Sequence, residues 1–232
     1  MTVFKYAMRR GFTSPASLIL NCAMPLILII TNGAIDTEAG NFFNPGIMLA
    51  AMMIMYGGFM MARSIQLDKL DGTITRILAG PITMRSYLVQ NFFSAMVPMT
   101  ALSAIIGVVG IVRHNWDINF AIGIALCYAF LAASSIGLSF VWSCIFKDKE
   151  ASVAVFSVLI TMMAILGGLM VPLSILPDFL RRIGAIFPAH WAARGMETMM
   201  QYGMNREYWL SIAAMFLFTV AFLLYGGKRR II

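Results

Sequence analysis

The sequence has few charged residues and few cysteines. Only 12% of its 232 residues are Asp, Glu, Lys or Arg, about half the share found in ordinary globular proteins. Hydrophobic residues make up 60%, and the mean hydropathy is +0.84. Such a chain cannot cover a water-soluble surface with polar side chains. The composition therefore excludes a soluble DNA-binding domain and a disordered chain, despite the net charge of +7, and predicts a polytopic membrane protein.

Sequence motifs for enzyme chemistry are absent. The three cysteines, Cys22, Cys127 and Cys144, lie in apolar runs without CxxC spacing, so they are interpreted as small buried hydrophobic residues rather than as metal ligands. Neither HExxH nor GxxxxGK[ST] occurs, so the chain offers no zinc-protease ligands and no P-loop for ATP. We therefore expect no catalytic residue, no metal site and no cofactor on this chain, and no nucleic-acid partner.

Six apolar runs have the length, about 20 residues, that a membrane-spanning helix needs. The sequence thus predicts an all-α membrane protein with six transmembrane helices. The predicted spans are Ser17–Ile35, Pro45–Met61, Phe92–Val112, Phe120–Ile145, Ala151–Leu173 and Trp209–Gly226.

The distribution of positive charge predicts the orientation, because cytoplasmic loops are enriched in Lys and Arg. With six spans, both termini lie on the same side. If they are cytoplasmic, that side holds twelve of the seventeen Lys and Arg residues. The outer side then holds the other five, which are Arg113, Arg181, Arg182, Arg194 and Arg206. We therefore expect both termini in the cytoplasm.

Three stretches outside the spans are distinctive within a single transmembrane domain, 1–232. Residues 1–15 predict an interfacial helix on the inner leaflet. Residues 63–90 form a long cytoplasmic connector in which Thr73–Leu78 is predicted to be a short helix. Taken alone, the connector is equally compatible with a protruding helix that binds a partner protein and with a plain membrane-surface loop. Residues 171–208 contain two short amphipathic pieces broken by prolines, which predict a re-entrant helical hairpin between spans five and six.

No predicted span carries Asp, Glu, Lys or Arg at mid-depth. Carriers driven by protons or sodium usually bury an ionisable group there. Energy for transport is therefore expected to come from elsewhere.

Two motifs resemble those of ABC-2 type transporter permeases. Residues Leu67–Thr83, LDKLDGTITRILAGPIT, are similar to the charged-GT-xxx-L-xxx-P stretch that follows the second span of that family. Residues Gly167–Leu180, GGLMVPLSILPDFL, resemble the family's G-xxx-P-xxx-LP-xx-L stretch after the fifth span. The segment Phe187–Trp191 departs from the usual Asn-Pro-Leu-Thr-Tyr in all but the proline.

The resemblance implies a half-transporter in a bacterial plasma membrane. Two permeases, identical or sister chains, would join two copies of a separate ABC ATPase that binds ATP and magnesium. A coupling helix, Asp68–Leu78, would contact the ATPase, and a re-entrant pair would close the outer side. The implied coupling residues are Asp68, Lys69, Asp71, Gly72, Thr73, Arg76, Leu78 and Pro81. The implied outer-gate residues are Pro172, Leu176, Pro177, Phe179, Pro188 and Trp191.

Cargo is the least defined property. The aromatic residues in the spans are mostly Phe, and polar residues are few, which favours amphipathic drugs or antimicrobial peptides over polysaccharide. The alternatives are a lipid or polysaccharide exporter, and a non-transporting immunity or sensor protein that binds a peptide with its outer segment.

Overall fold

The structure, a computed structural model, describes residues 15–34, 43–79, 83–145 and 148–228. All regular secondary structure in these ranges is α-helical, as the sequence predicts. The predicted interfacial helix at residues 1–15 lies, apart from Pro15, outside the described residues. In chain order the helices are α1 (Pro15–Asn32), α2 (Pro45–Leu70), α3 (Thr73–Leu78), α4 (Met84–His114), α5 (Ile118–Ile145), α6 (Lys149–Gly167), α7 (Asp178–Gly184), α8 (Pro188–Tyr202) and α9 (Arg206–Lys228).

Five of the described helices are long and apolar enough to cross a membrane. They correspond to the predicted spans two to six and are Pro45–Lys69, Ser86–His114, Ile118–Ser143, Glu150–Gly167 and Arg206–Gly226. Helix α1, with 18 residues, occupies the place of the predicted first span but is not among these five. The first of the six predicted spans therefore stays a prediction.

Helices α2 and α5 form the centre of the bundle. The Tyr128 hydroxyl of α5 donates to the Ile47 carbonyl of α2 at 2.9 Å, and Ser135 donates to the Met55 carbonyl. A Cβ on Gly58 would lie 3.2 Å from the Ala132 carbonyl oxygen. The absence of a side chain there lets the two backbones approach closely, which is the usual basis of helix packing in membranes.

The two ends of the bundle differ in their elements. Helix α3 lies at one end, called here the α3 end, between the end of α2 and the start of α4. At the other, called the α8 end, α1 is joined to α4 and the following turn. The Trp116 indole donates to the Gly33 carbonyl at 3.0 Å, and the His114 ring contacts the Ile29 carbonyl at 2.7 Å. These bonds hold α1 against the rest of the bundle.

The connector after α2 is shorter than predicted. Helix α2 continues past Met61 to Leu70, so Asp68 and Lys69 belong to the long helix. The predicted helix Asp68–Leu78 is wrong at its start, since α3 begins at Thr73. The reason is that composition alone predicts a loop at these charged residues. In the structure they remain helical because they bond to neighbouring helices.

Helix α6 ends earlier than the predicted fifth span, at Gly167 instead of Leu173. Gly168 adopts a left-handed conformation (φ 94°), and the Leu169 N–H donates to the Ala164 carbonyl at 2.9 Å. This is the Schellman arrangement that terminates helices. Apolar residues continue beyond it, which is why hydropathy alone overextends the span.

The early end of α6 leaves room for the segment that follows. Helix α6 has 19 residues and α5 has 28, so α6 is about 14 Å shorter at a rise of 1.5 Å per residue. Helix α8 fills this space. A Cβ on Gly195 would lie 3.2 Å from Cys127 Sγ, and one on Gly123 would lie 2.6 Å from Met199 Sδ. Helix α8 therefore packs along the half of α5 nearest the α8 end.

Candidate coupling site

Helix α3 is mounted on α2 through a two-residue turn. The Asp71 N–H donates to the Leu67 carbonyl at 2.9 Å and so closes the last turn of α2. Gly72 then adopts a positive φ of 68°, a conformation that costs other residues free energy. On α3 the side chain of Ile74 is buried and Arg76 is exposed. Ile77 is half-buried and also packs against the core, so the short helix is anchored by apolar side chains while Arg76 faces outward.

Asp68, just before this turn, is buried and bonded across the connector. Its carboxylate accepts a hydrogen bond from the Tyr87 hydroxyl at 2.6 Å. Asp68 is 7% exposed and Tyr87, on α4, is 1% exposed. A hydrogen bond to a charged acceptor is roughly twice as strong as one between neutral groups. The bond ties together the two long helices that α3 connects.

Two further polar links join the same end of α2 to other helices. Lys69 Nζ donates to the Ser143 carbonyl of α5 at 3.4 Å. The Ser152 hydroxyl of α6 donates to Gln66 Oε1 at 3.0 Å. Gln66 is 2% exposed, and its Nε2 has no hydrogen-bond partner among the described residues. The base of α3 is thus linked to α4, α5 and α6.

Most of the predicted coupling residues meet in this region. Asp68 is buried and Lys69, Gly72 and Thr73 are half-buried, while Asp71 and Arg76 are exposed. The structure does not describe the side chain of Leu78, and Pro81 lies outside the described residues. The predicted set therefore divides into an inner group that binds the bundle and an outer group that faces away from it.

The predicted outer-gate residues lie at the opposite end, on and around α7 and α8. Leu176 and Pro188 are buried, Pro172 and Trp191 are half-buried, and Pro177 and Phe179 are exposed. The Trp191 indole donates to the Ala185 carbonyl at 3.0 Å, which fixes α8 to the turn after α7. The two amphipathic pieces predicted from the sequence are thus short helices.

Helix α8 also carries two titratable groups in unusual surroundings. Burial raises the pKa of Glu197 to about 7, although a hydrogen bond from the Leu173 backbone acts to lower it. Burial lowers the pKa of His190, and the positive charges of Arg194 and Arg181 lower it further. His190 Nδ1 is buried without a hydrogen-bond partner among the described residues. Both groups thus favour the neutral form more than they would in water.

Sequence reasoning did not identify Gln66, Tyr87 and Ser152 as parts of the site. Gln66 and Tyr87 lie within the predicted connector and Ser152 within an apolar span, so none stands out in composition. The available signal was helical spacing: a helix that continues past Met61 places polar residues on the face turned to its neighbours. Only the tertiary fold shows which partner each one meets.

The charged residues of the candidate spans lie near the span ends, in agreement with the predicted absence of charge at mid-depth. Within the five candidate spans, every Asp, Glu, Lys and Arg lies at most six residues from an end. Among the residues that the structure describes, no group of three or more His, Cys, Asp or Glu side chains could hold a metal ion.

Comparison with known proteins supports the resemblance found in the motifs. The family model of the ABC-2 family transporter proteins matches residues 15–227, nearly the whole chain. No curated protein matches this chain. Several apolar helices together with this match indicate a multi-pass membrane protein. Proteins of this family are membrane components of transporters and generally work with an ABC ATPase. The chain therefore belongs to the ABC-2 family of transporter proteins.

Proposed function

We propose that this chain is the permease subunit of an exporter powered by a separate ABC ATPase, and that α3 receives the force. One observation carries the proposal: a short helix with an exposed Arg76 sits on α2 at the point where α2 is bonded to three neighbouring helices. A displacement of α3 would therefore move several long helices together rather than bend a loose connector.

The proposed contact surface is the outward side of the turn and α3. Asp71 and Arg76 are exposed there and carry opposite charges, which suits a complementary groove on the ATPase. The Asp68–Tyr87 bond and the Lys69–Ser143 bond lie behind this surface. In this mechanism the exposed residues provide binding and the buried ones transmit the movement.

The outer gate is proposed at α7 and α8. Because α6 is about 14 Å shorter than α5, α8 occupies membrane depth on the side of the shorter helix. It packs against α5 through Gly123 and Gly195. Its backbone is thus buried in protein, which is the condition for non-spanning helices at membrane depth. The positive-charge distribution of the sequence supports placing α3 in the cytoplasm and this pair outside.

The complete exporter is proposed to contain two permeases and two ATPases. Helix α6 presents apolar side chains away from its own bundle, among them Val155, Val158 and Met162. This face suits a second permease copy. A cysteine at Val158, with the three native cysteines replaced, should form a disulfide-linked dimer in membranes. The control is a cysteine at Leu217, which is 72% exposed on α9 and should remain monomeric.

The proposed cargo is an amphipathic drug or an antimicrobial peptide. The support is the apolar character of the spans, in which polysaccharide would find few polar partners. A membrane protein that confers immunity by binding a peptide would protect cells without an ATPase. Protection that disappears when the ATPase is inactivated would favour export, and protection that persists would favour immunity.

The decisive experiment is coupled transport by the permease and its ATPase in proteoliposomes. Arg76→Glu combined with Asp71→Lys should reduce cargo-stimulated ATP hydrolysis by about ten-fold, as expected when both charged contacts become repulsive. Arg113→Glu is the matched control, since Arg113 is also exposed but lies at the opposite end of the bundle. Unchanged stimulation in the double variant would refute α3 as the coupling helix.

A further inference from the structure

A groove runs between α8 and α9 on the side that faces away from the bundle. Its volume is about 420 Å³, within the usual range of about 300–1,000 Å³ for ligand pockets. It is lined by Trp191, Arg194, Glu207, Leu210, Ala213, Ala214 and Leu217. The charged residues Arg194 and Glu207 lie together, and the rest of the lining is almost entirely apolar. The groove is therefore amphipathic along its length.

The apolar part of the groove runs along α9 and has the form of a depression that could hold an acyl chain. From Glu207 to Leu217, α9 rises by ten residues, or about 15 Å. Ala213 and Ala214 are small residues between the larger Leu210 and Leu217, so they leave a depression along the helix. Trp191 forms the wall on the α8 side, and its bond to the Ala185 carbonyl holds it there.

The polar part of the groove is an ion pair at the membrane boundary. Arg194 Nη2 lies 3.3 Å from Glu207 Oε2, and both side chains are about half exposed. Glu207 is in the first turn of α9, where the candidate span Arg206–Gly226 begins. Lipid headgroups lie at this depth, and Arg side chains extend toward them. A positive and a negative group are thus offered side by side to the headgroup layer.

We propose that this groove binds one phospholipid with a zwitterionic, amine-bearing headgroup as a resident lipid. Arg194 binds the phosphate, Glu207 accepts hydrogen bonds from the ammonium group, and one acyl chain lies over Ala213 and Ala214. A headgroup with both charges complements both side chains. An anionic headgroup without an amine meets the Arg but is repelled by Glu207. The groove shares Trp191 with the proposed outer gate, but the binding of a lipid there does not depend on the proposed function.

The test measures lipid retained by the full chain. The purified protein is equilibrated with equal amounts of phosphatidylethanolamine, phosphatidylcholine and phosphatidylglycerol, and bound lipid is counted by native mass spectrometry. One phosphatidylethanolamine per chain is expected in preference to the others. Soluble glycerophosphoethanolamine should not displace it, because the acyl chain contributes most of the binding through apolar burial.

Variants separate the two parts of the site. Arg194→Gln or Glu207→Gln should weaken retention by up to about five-fold, the range for one exposed charged contact. Ala214→Leu fills the channel and should weaken it by more than about ten-fold. Arg181→Gln is the charge control, because Arg181 pairs with Asp178 on α7. Ala221→Leu is the volume control, because Ala221 is exposed on α9 outside the groove.

Arg194 and Glu207 are exposed and Ala214 is half-buried at the surface of the groove. Elution of each variant as a single species from gel filtration checks that it folds. Equal retention by the wild type and Ala214→Leu would overturn the proposal. Stronger binding of phosphatidylglycerol, increased further by Glu207→Gln, would overturn the zwitterionic headgroup. A dimer that Ala214→Leu converts to monomer would show that the groove receives a second chain, which also overturns it.

Discussion

The Tyr87 hydroxyl and the Asp68 carboxylate are joined by a 2.6 Å hydrogen bond that closes the connector containing α3. The two residues are nineteen positions apart in the sequence and lie on the two long helices that flank α3. Because both side chains are buried, water competes little for the bond. The connector is therefore a closed loop with a fixed base, and α3 is mounted on that base with Arg76 exposed.

Replacing Tyr87 by Phe should weaken coupling between ATP hydrolysis and transport. The change removes a hydrogen bond to a buried carboxylate, which is worth about 1–3 kcal/mol. The chain should still insert and assemble, because the ring remains. We expect fewer cargo molecules transported per ATP hydrolysed, measured in proteoliposomes that contain the permease and its ATPase.

Tyr128→Phe is the matched control for this prediction. It removes the bond from the Tyr128 hydroxyl to the Ile47 carbonyl, which also joins α2 to a neighbour but lies far along α2 from α3. Both variants should lose stability, and only Tyr87→Phe should lower the transport-to-hydrolysis ratio. A similar drop in both would show that general loosening of the bundle, and not the base of α3, controls coupling.

Gln66 and Ser152 offer a second prediction, on stability. Ser152→Ala removes the donor to Gln66 Oε1 and leaves the buried amide with a second unpaired atom beside Nε2. It should lower the free energy of unfolding by about 1–3 kcal/mol. Gln66→Met combined with Ser152→Ala replaces both partners by apolar groups and should be nearly neutral or stabilising relative to the wild type. Denaturant-induced unfolding in micelles measures both variants. A loss in the double variant as large as in Ser152→Ala alone would show that the polar link itself stabilises the bundle.

The positions of the helices could be predicted from the sequence because membrane spans depend mainly on local composition. The cores of spans two to six, the short helix Thr73–Leu78 and both amphipathic outer helices follow from apolar length, spacing and proline positions. The predicted ends were less accurate. Helix α2 runs nine residues past Met61 to Leu70, since its last charged residues are stabilised by partners on other helices.

The polar network at the base of α3 could not be predicted, because its members are far apart in sequence. Gln66 and Ser152 are separated by 86 positions, and Lys69 and Ser143 by 74. Helical periodicity gives the face on which a residue lies but not the helix that packs there. The groove on α8 and α9 depends on an ion pair between Arg194 and Glu207, which likewise follows only from how two helices pack.

Glu197 predicts a pH-dependent stability. Its pKa is about 7 in the folded chain against an ordinary value of 4.5. Below pH 4.5 the group is protonated in both states and costs nothing. Between pH 4.5 and 7 the unfolded chain ionises first, so the folded state progressively loses stability, and the penalty is complete above pH 7. Glu197→Gln, which retains an acceptor for Leu173, should therefore raise the thermal midpoint at pH 8 but hardly at pH 4.5.

The control for Glu197 is Glu207→Gln, since Glu207 is exposed in its ion pair with Arg194. An exposed pair contributes at most about 1 kcal/mol, so this variant should not reproduce the gain at pH 8. Thermal inactivation in micelles at the two pH values measures both variants. An equal shift of Glu197→Gln at pH 4.5 and pH 8 would contradict the burial of a charged carboxylate as the cause.

Alanine substitutions at Gly72 and Gly168 separate the cost of backbone strain from the cost of crowding by the added Cβ. Both have positive φ, at 68° and 94°, so alanine at either position costs about 1 kcal/mol from backbone conformation. A Cβ on Gly72 would meet nothing within 4 Å, whereas one on Gly168 would lie 2.5 Å from two carbons of Leu173. Gly168→Ala should therefore destabilise the chain by about 1–3 kcal/mol more than Gly72→Ala.

The two glycine variants should also differ in function. Gly168→Ala moves Leu173 and the segment leading to α7, so it should disturb the outer region while leaving ATPase binding intact. Gly72→Ala alters the turn that sets the angle of α3 and should weaken ATPase binding with little loss of stability. Unfolding in micelles and pull-down of the ATPase measure the two effects. Equal destabilisation by both variants would show that Leu173 moves aside at little cost.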